Sequence, residues 1–135
     1  MKKIIIALLI SIAVFTIPSC KGTDSKAEVQ TMAKSEYHKI TPAEAKKMMD
    51  AGGVTVVDVR RANEFANGHV PGAILVTNET ITKAPKELPD KDATLLIYCR
   101  SGRRSKEAAM KLIDLGYMNV YDFGGIIDWP YEVVK

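Results

Sequence analysis

The sequence has few of the residues that bind metals or cross-link chains. Its 135 residues include two cysteines, Cys20 and Cys99, and two histidines, His38 and His69. Because these residues form no Cys–His cluster, a zinc site is not expected. No Ser-His-Asp or Cys-His pattern is evident, and both histidines are separated in sequence from Cys99. We therefore interpret both histidines as structural or exposed residues rather than as general bases.

The sequence also lacks an apolar run long enough to cross a membrane. Met1-Lys2-Lys3 is basic, and the apolar run Ile4–Pro18 has 15 residues, whereas a membrane helix needs about 20. This pattern is typical of a secretory signal peptide. Ile17-Pro18-Ser19-Cys20 resembles the lipobox of bacterial lipoproteins, where the chain is cut before a cysteine that then carries lipid. The alternative is ordinary cleavage near Ser19, which would leave Cys20 as a free thiol.

These features predict three segments: a signal peptide over 1–19, the lipidated Cys20 with a flexible tether over 20–34, and one domain over 35–135. The protein is thus expected to be exported and held at the membrane by lipid on Cys20, facing the periplasm or the cell exterior. Loss of Lys2 and Lys3 lowers the formal net charge from +3 to +1, which leaves no case for nucleic acid binding. No heptad pattern or long apolar edge stands out, so a monomeric domain is expected.

Cys99 then has no partner within the chain, because Cys20 is expected to be acylated. Exported proteins are exposed to oxidising conditions, in which an unpaired cysteine is a liability. An unpaired cysteine in such a protein therefore indicates that its reactivity is used.

Alternating strand and helix patterns favour an α/β sandwich with parallel strands and right-handed crossovers. The predicted strands are Ser35–Ile40, Val54–Val59, Ala73–Thr77, Leu95–Tyr98 and Val120–Asp122, and the predicted helices are Pro42–Asp50, Asn63–Ala66 and Ser105–Leu115. Thr80–Lys91 is predicted to be a surface segment with one helical turn. Phe123-Gly124-Gly125 is predicted to turn the chain before the closing segment Ile126–Trp129.

The most informative segment is Cys99-Arg100-Ser101-Gly102-Arg103-Arg104-Ser105, which follows a buried strand. Ser105 is a predicted N-cap for the next helix, so Cys99 is expected at the end of a strand, facing the start of a helix. Active sites of parallel α/β sheets lie beyond the carboxyl ends of the strands. Cys99 is expected at such a position.

The residues after Cys99 favour its nucleophilic thiolate form. A helix N-terminus carries partial positive charge, and Arg100, Arg103 and Arg104 add fixed positive charge. Gly102 permits the backbone to curl its N–H groups around an anion. The pattern predicts a nucleophile inside an anion pocket, against the alternative of a buried cysteine followed by a solvated basic turn.

The spacing of the arginines separates two classes of reaction. Phosphatases of the Cys-x5-Arg type need an arginine six residues after the cysteine, where it clamps a phosphate group. Here Ser105 occupies that position, and Arg104 comes one residue earlier. The shorter loop makes a tighter cradle, which favours a sulfur-bearing substrate over a phosphate.

Three regions of the sequence resemble the rhodanese family. Cys99–Ser105 is similar to the active-site loop of that family. Asp58-Val59-Arg60, Glu64-Phe65 and Gly68-His69-Val70-Pro71-Gly72-Ala73 resemble its first signature region, and Phe123-Gly124-Gly125 with Trp129 resembles its C-terminal one. The agreement covers about Tyr37 to Val133. It implies a single rhodanese-like domain, a three-layer sandwich whose five-stranded parallel sheet is flanked by helices.

The resemblance also implies sulfurtransferase chemistry without a cofactor or a metal. Cys99 would take sulfane sulfur from a small anionic donor, such as thiosulfate, and pass it from a persulfide to a thiol or cyanide acceptor. The expected substrate-binding residues are Arg100, Ser101, Gly102, Arg103, Arg104 and Arg60. Two alternatives remain, a membrane-tethered persulfide carrier or relay partner with little turnover, and a phosphatase or arsenate reductase.

The other matched residues have simpler structural interpretations. Arg60 is positioned to form an ion pair with Glu64 four residues later, which we favour over substrate binding. His69 is expected to fix a turn, and Trp129 is expected to pack rather than to shield the pocket.

Overall fold

The computed structural model describes residues 35–135, so the predicted signal peptide, Cys20 and the tether lie outside the described residues. The described chain forms a five-stranded, entirely parallel sheet with the order β1-β5-β4-β2-β3. The elements are β1 (His38–Lys39), α1 (Pro42–Ala51), β2 (Val54–Asp58), α2 (Ala62–Ala66), β3 (Ile74–Leu75), β4 (Thr94–Cys99), α3 (Arg103–Asp114) and β5 (Asn119–Gly125). The predicted α/β class and parallel sheet are confirmed.

The central strand β4 is buried on both faces. Leu95, Ile97 and Cys99 point into the core beneath α3, whereas Leu96 and Tyr98 point into the core beneath α1. This arrangement explains the nearly continuous apolar run of the strand, because a parallel strand covered by helices on both faces needs no polar side. Alternation along the strand therefore places Cys99 on the face that α3 covers.

Helix α1 begins as its sequence predicts. The Glu44 N–H donates to Thr41 Oγ1 at 3.2 Å, and Glu44 Oε2 accepts from the Thr41 N–H at 2.7 Å. This reciprocal capping box satisfies two backbone groups that the helix itself leaves unpaired, and Pro42 provides a preset first helical residue.

Helix α3 begins two residues earlier than predicted, and Ser105 as its N-cap is wrong. The N-cap is Gly102, whose φ of 97° lies in the left-handed region that glycine adopts readily. Because the chain turns sharply at Gly102, the helix starts at Arg103, directly after the loop. Ser105 is buried in the first turn, where its hydroxyl donates to Gly102 O at 3.1 Å and lies 3.3 Å from Gly124 O.

Strand β5 runs through the predicted turn at Phe123-Gly124-Gly125, so that turn is wrong. The register between β4 and β5 shifts there, since Ile97 pairs with Asp122 and Tyr98 with Gly124. The extra residue, Phe123, is accommodated as a bulge, and its ring packs 5.4 Å from that of Trp129. The bulge lets β5 continue to Gly125, beside the loop that follows Cys99.

The prediction of a surface segment over Thr80–Lys91 is wrong for two of its residues. Ile81 and Leu88 are only 2% and 3% exposed and belong to the core beneath α3. The helical turn nearest to it is a 3-10 turn over Asn78–Thr80, which overlaps the predicted segment only at Thr80. Apolar side chains thus anchor an otherwise polar connection. Within residues 35–135, no helix is both long and apolar enough to cross a membrane.

Candidate active site

Cys99 is the last residue of β4 and is almost fully buried, with 1% of its surface exposed. Its Sγ accepts a hydrogen bond from the Gly102 N–H at 3.0 Å. The positive φ of Gly102 turns the loop back, which aims this N–H at the sulfur. The predicted proximity of Cys99 to the start of α3 is therefore present in the structure.

The first turn of α3 adds N–H groups with no backbone acceptor. The first backbone bond of α3 runs from Lys106 N to Gly102 O at 3.2 Å. The N–H groups of Arg103, Arg104 and Ser105 consequently have no intrahelical partner, as at every helix N-terminus. The helix N-terminus, which carries partial positive charge, therefore starts directly after the residue whose N–H donates to Cys99 Sγ.

The end of β5 forms the floor of the loop. A Cβ atom on Gly125 would lie 2.2 Å from Arg100 O and 2.6 Å from the Cα of Ser101, so only glycine fits there. Arg100 O also accepts from the Ile127 N–H at 3.3 Å. The loop backbone therefore rests directly on the backbone of β5, which fixes its position.

Asp122 holds this floor in place. One of its carboxylate oxygens accepts from the Gly124 N–H at 2.8 Å, and the other accepts from the Tyr37 hydroxyl at 2.7 Å. Burial and the hydrogen bond to Asp122 raise the pKa of Tyr37 above its ordinary value, so the hydroxyl stays protonated as a donor. The bulge beside the loop is thus fixed by a buried carboxylate.

The predicted Arg60–Glu64 ion pair is wrong, because both residues have other partners. Arg60 Nη2 lies 2.6 Å from Asp58 Oδ2 and donates to Gly68 O at 2.7 Å. The Tyr98 hydroxyl donates to the same Asp58 oxygen at 2.7 Å. Burial lowers the pKa of the Arg60 guanidinium, but its hydrogen bond to Asp58, together with the charge of that carboxylate and the nearby Tyr98 hydroxyl, outweighs burial, so the net pKa is raised. Arg60 is not among the residues that line the polar cavity over the loop.

Glu64 instead pairs with Arg104, across 40 positions of sequence. Arg104 Nη1 and Nη2 donate to the two carboxylate oxygens of Glu64 at 2.8 and 2.9 Å. The hydrogen bond from Arg104 lowers the pKa of Glu64 to about 2, and the same bond raises the pKa of Arg104. This bidentate pair joins α2 to the first turn of α3 and largely neutralises one of the three loop arginines.

A polar cavity of about 670 Å³ opens over the loop. Its lining residues are Arg61, Asn63, Glu64, Asn78, Glu79, Arg100, Ser101, Arg103, Arg104 and Glu107. Four of the predicted substrate-binding residues, namely Arg100, Ser101, Arg103 and Arg104, are among them, whereas Gly102 contacts the sulfur.

The sequence-based prediction missed the cavity residues that come from other elements. Arg61 and Asn78 follow β2 and β3 at the carboxyl edge of the sheet, so their position after predicted strands was a usable signal. Glu107 lies one helical turn beyond Arg103 on α3, which the helical period also indicates.

His69 and Trp129 have structural contacts. His69 Nδ1 lies 3.0 Å from Phe65 O, and its backbone exchanges two hydrogen bonds with Val134 near the end of the chain. Trp129 packs in the core beneath α1 and donates to Glu132 O at 3.1 Å. Among residues 35–135, the structure holds no group of three or more side chains arranged to bind a metal ion.

The Glu64–Arg104 pair should make stability depend on acid pH. The folded pKa of Glu64 is lowered from 4.5 to about 2, so its stabilising effect is full above the unfolded value and is lost as pH falls from about 4.5 towards 2. Since both side chains are partly exposed, we expect Glu64→Gln to lower the free energy of unfolding by about 1–2 kcal/mol at neutral pH and negligibly near pH 2. Urea unfolding of wild type and variant across this range measures the difference.

Glu79→Gln is the matched control for this measurement. Glu79 lies 3.8 Å from Arg61, and both side chains are exposed. Its replacement should change stability by less than about 0.5 kcal/mol at either pH. Equal effects of the two substitutions at neutral pH would contradict the assigned role of Glu64.

Comparison with known proteins identifies the family. The rhodanese-like domain family matches residues 41–130. Thiosulfate sulfurtransferase GlpE of Haemophilus influenzae is 35% identical over 94 residues, which cover 69% of this chain and 88% of that protein. A sulfurtransferase of Allochromatium vinosum is 38% identical over 86 residues, covering 63% of this chain and 79% of that protein.

A solved structure agrees with this result. The rhodanese with anions from E. coli is 33% identical, with a TM-score of 0.55, and the match covers 60% of this chain and 96% of that one. The match over most of the described domain, with its buried cysteine at the end of β4, shows that the chain belongs to the rhodanese-like domain family.

Proposed function

We propose that the protein is a sulfurtransferase that moves sulfane sulfur from thiosulfate, or a similar small donor, through a persulfide on Cys99. The main support is the contact between the Gly102 N–H and Cys99 Sγ at 3.0 Å, in a loop whose arginines line a polar cavity. This N–H and the start of α3 stabilise negative charge on the sulfur before and after transfer. The named sulfurtransferases among the relatives add to this support.

The first step is a displacement at sulfur. The Cys99 thiolate attacks the outer sulfur of thiosulfate, the S–S bond of thiosulfate breaks, and sulfite leaves with the bonding electron pair. Cys99 then carries a persulfide anion, and the total charge is unchanged. Arg100 and Arg103, which line the cavity, orient the dianion and stabilise the departing sulfite.

In the second step, an acceptor removes the outer sulfur. Cyanide attacks that sulfur and leaves as thiocyanate, or a thiolate attacks it and leaves as a persulfide, and the Cys99 thiolate is regenerated. The two half-reactions follow one another on the same residue, which is a ping-pong scheme. No proton donor is needed at either leaving group, because sulfite and the Cys99 thiolate both leave as anions.

The loop argues against the phosphatase alternative. At the position where a Cys-x5-Arg phosphatase has its clamping arginine, this chain has the fully buried Ser105, whose hydroxyl bonds to backbone carbonyls. The preceding Arg104 is already bidentate to Glu64. Neither residue therefore offers a free guanidinium fork to a phosphate.

The test is a two-part assay on the full chain. Incubation with thiosulfate should release one sulfite per protein and add the mass of one sulfur atom to the peptide that contains Cys99. Subsequent cyanide should remove that mass and yield thiocyanate. Cys99→Ser, which keeps the size of the side chain but removes the thiol, should abolish both results.

Two other outcomes would change the proposal. A wild type that gains no sulfur, or a Cys99→Ser variant that turns over as fast as wild type, would contradict it. A stable persulfide that discharges negligibly to cyanide and thiols would instead assign the role of a persulfide carrier.

A further inference from the structure

Asp122 is a buried carboxylate that the two transfer steps do not use. The segment before α1 meets this residue at three points. The Tyr37 hydroxyl donates to Asp122 Oδ2 at 2.7 Å, Lys39 Nζ lies 3.6 Å from Oδ1, and the Ile40 N–H donates to the backbone oxygen at 2.9 Å. The segment around β1 is therefore attached to the strand that carries the floor of the loop after Cys99.

The second carboxylate oxygen of Asp122 faces the bulge in β5. Oδ1 accepts from the Gly124 N–H at 2.8 Å, at the point where the register between β4 and β5 shifts. A bulge disrupts the ladder of backbone hydrogen bonds, and a buried N–H group without an acceptor is strongly unfavourable. Asp122 thus supplies the acceptor that the bulge needs.

Gly124 in turn contacts the loop that holds the nucleophile. A Cβ atom on Gly102 would lie 3.6 Å from the Cα of Gly124, and Ser105 Oγ lies 3.3 Å from Gly124 O. Gly102 is also the residue whose N–H donates to Cys99 Sγ at 3.0 Å. A displacement of Gly124 therefore reaches the hydrogen-bond donor of the sulfur through one backbone contact.

The Tyr37 hydroxyl fixes the direction in which the Asp122 carboxylate points. While Tyr37 holds Oδ2, Oδ1 faces the Gly124 N–H. The half-exposed side chain of Lys39 lies 3.6 Å from the same Oδ1 and competes for it. Without the hydroxyl, the carboxylate can turn toward the ammonium group of Lys39, because a charged donor attracts it more strongly than a backbone N–H does.

From these contacts, and resting on the proposed sulfurtransferase activity, we infer that Tyr37 and Asp122 are positioning residues for the sulfur of Cys99. They act through Gly124, by holding the end of β5 where the Gly102 N–H reaches the sulfur. Neither side chain lines the polar cavity. They therefore affect the reaction of the bound donor, in which that N–H stabilises negative charge on sulfur, rather than the binding of the donor.

Tyr37→Phe tests this inference, because it removes one hydroxyl group and keeps the ring. Sulfite release in a single turnover of the full chain is timed at increasing thiosulfate concentration. This measurement gives a maximal loading rate and the thiosulfate concentration at which half of that rate is reached. We expect the maximal rate to fall about fivefold, the effect of one lost hydrogen bond, and the half-saturating concentration to change less than about twofold.

The amide resonances of Gly102 and Gly124 provide a second measurement that does not depend on turnover. The chain has nine glycines, so isotopic labelling of glycine nitrogen gives a spectrum with few signals. A hydrogen bond moves an amide proton resonance downfield. Tyr37→Phe should therefore move both resonances upfield, because the bonds to Cys99 Sγ and to Asp122 Oδ1 lengthen.

Tyr117→Phe is the matched control. The Tyr117 hydroxyl donates to Leu88 O at 2.6 Å, and its ring lies in the core beneath α3, against which Tyr37 also packs. Tyr117 follows the C-terminal end of α3, whereas the loop precedes the N-terminal end. We expect this variant to lose stability but to keep the wild-type loading rate and the wild-type resonance of Gly102.

Four results would overturn the inference and leave the sulfurtransferase activity intact. They are a wild-type loading rate in Tyr37→Phe, a change confined to its half-saturating concentration, an unmoved Gly102 resonance, and an equal loss of rate in Tyr117→Phe. Wild-type protein that gains no sulfur on Cys99 would instead contradict the proposed function itself.

Discussion

Gly125→Ala should destabilise the domain by about 3 kcal/mol or more and sharply reduce persulfide formation in the molecules that still fold. The added methyl group would lie 2.2 Å from Arg100 O and 2.6 Å from the Cα of Ser101. Both obstacles are backbone atoms, which cannot rotate away as a side chain can, so the cost lies at the upper end of that for overpacking. Thermal unfolding and the sulfur content of Cys99 after thiosulfate treatment measure the two effects.

Gly102→Ala provides the comparison. Its Cβ would meet its nearest neighbour, the Cα of Gly124, at an ordinary 3.6 Å, so its cost is mainly that of a positive φ, about 1–2 kcal/mol. We therefore expect Gly125→Ala to be the less stable of the two variants, although Gly125 has an ordinary φ of −116°. The opposite order would show that the loop does not rest on the end of β5.

The sheet was largely predictable because its strands carry a strong local signal. Val54–Val59 and Leu95–Tyr98 are short apolar runs rich in branched side chains, and the structure confirms β2 and β4 at those places. The C-terminal end of β5 and the start of α3 were not predictable in this way. A glycine pair is normally a turn signal, but Gly124 and Gly125 continue a strand because the loop after Cys99 needs a floor without side chains.

The candidate site was predictable where it is local and unpredictable where it depends on distant partners. Cys99, Gly102 and the start of α3 are neighbours in sequence, and the contact between the first two follows from a turn at the end of a strand. The partner of Glu64 is 40 positions away. A four-residue spacing favoured Arg60 for Glu64, but tertiary packing placed Arg104 there instead.

The partner of Arg60 also depends on tertiary packing that the local sequence does not indicate. Its side chain runs back to Asp58, the last residue of the preceding strand β2, because that carboxylate is fully buried and requires a compensating charge. The sequence shows an alternating Asp-Val-Arg, which indicates one shared face but not which partner the arginine selects. The buried hydroxyl of Tyr98 completes the network and becomes visible only once β2 and β4 are adjacent.

Asp58→Asn should lower the free energy of unfolding by about 3–5 kcal/mol, because it leaves the guanidinium of Arg60 without a counter-charge at 5% exposure. An ordinary domain has a free energy of unfolding of about 5–15 kcal/mol, so the expected loss is a large part of the total. The substitution keeps the shape of the side chain and an oxygen that can accept from the Tyr98 hydroxyl. The loss of stability therefore measures the removal of the negative charge rather than a change in side-chain volume. Urea unfolding followed by circular dichroism measures it.

The double variant Asp58→Asn, Arg60→Met should be more stable than Asp58→Asn alone, because it removes the buried charge that the single change leaves unpaired. It should still transfer sulfur more slowly than wild type. Arg60 Nη2 also donates to Gly68 O, and α2, which carries Glu64 to the cavity, lies between these two positions. Without that tether, Glu64 meets Arg104 less often, and the wall of the cavity loosens. A double variant as unstable as the single one would show that Arg60 contributes packing rather than charge.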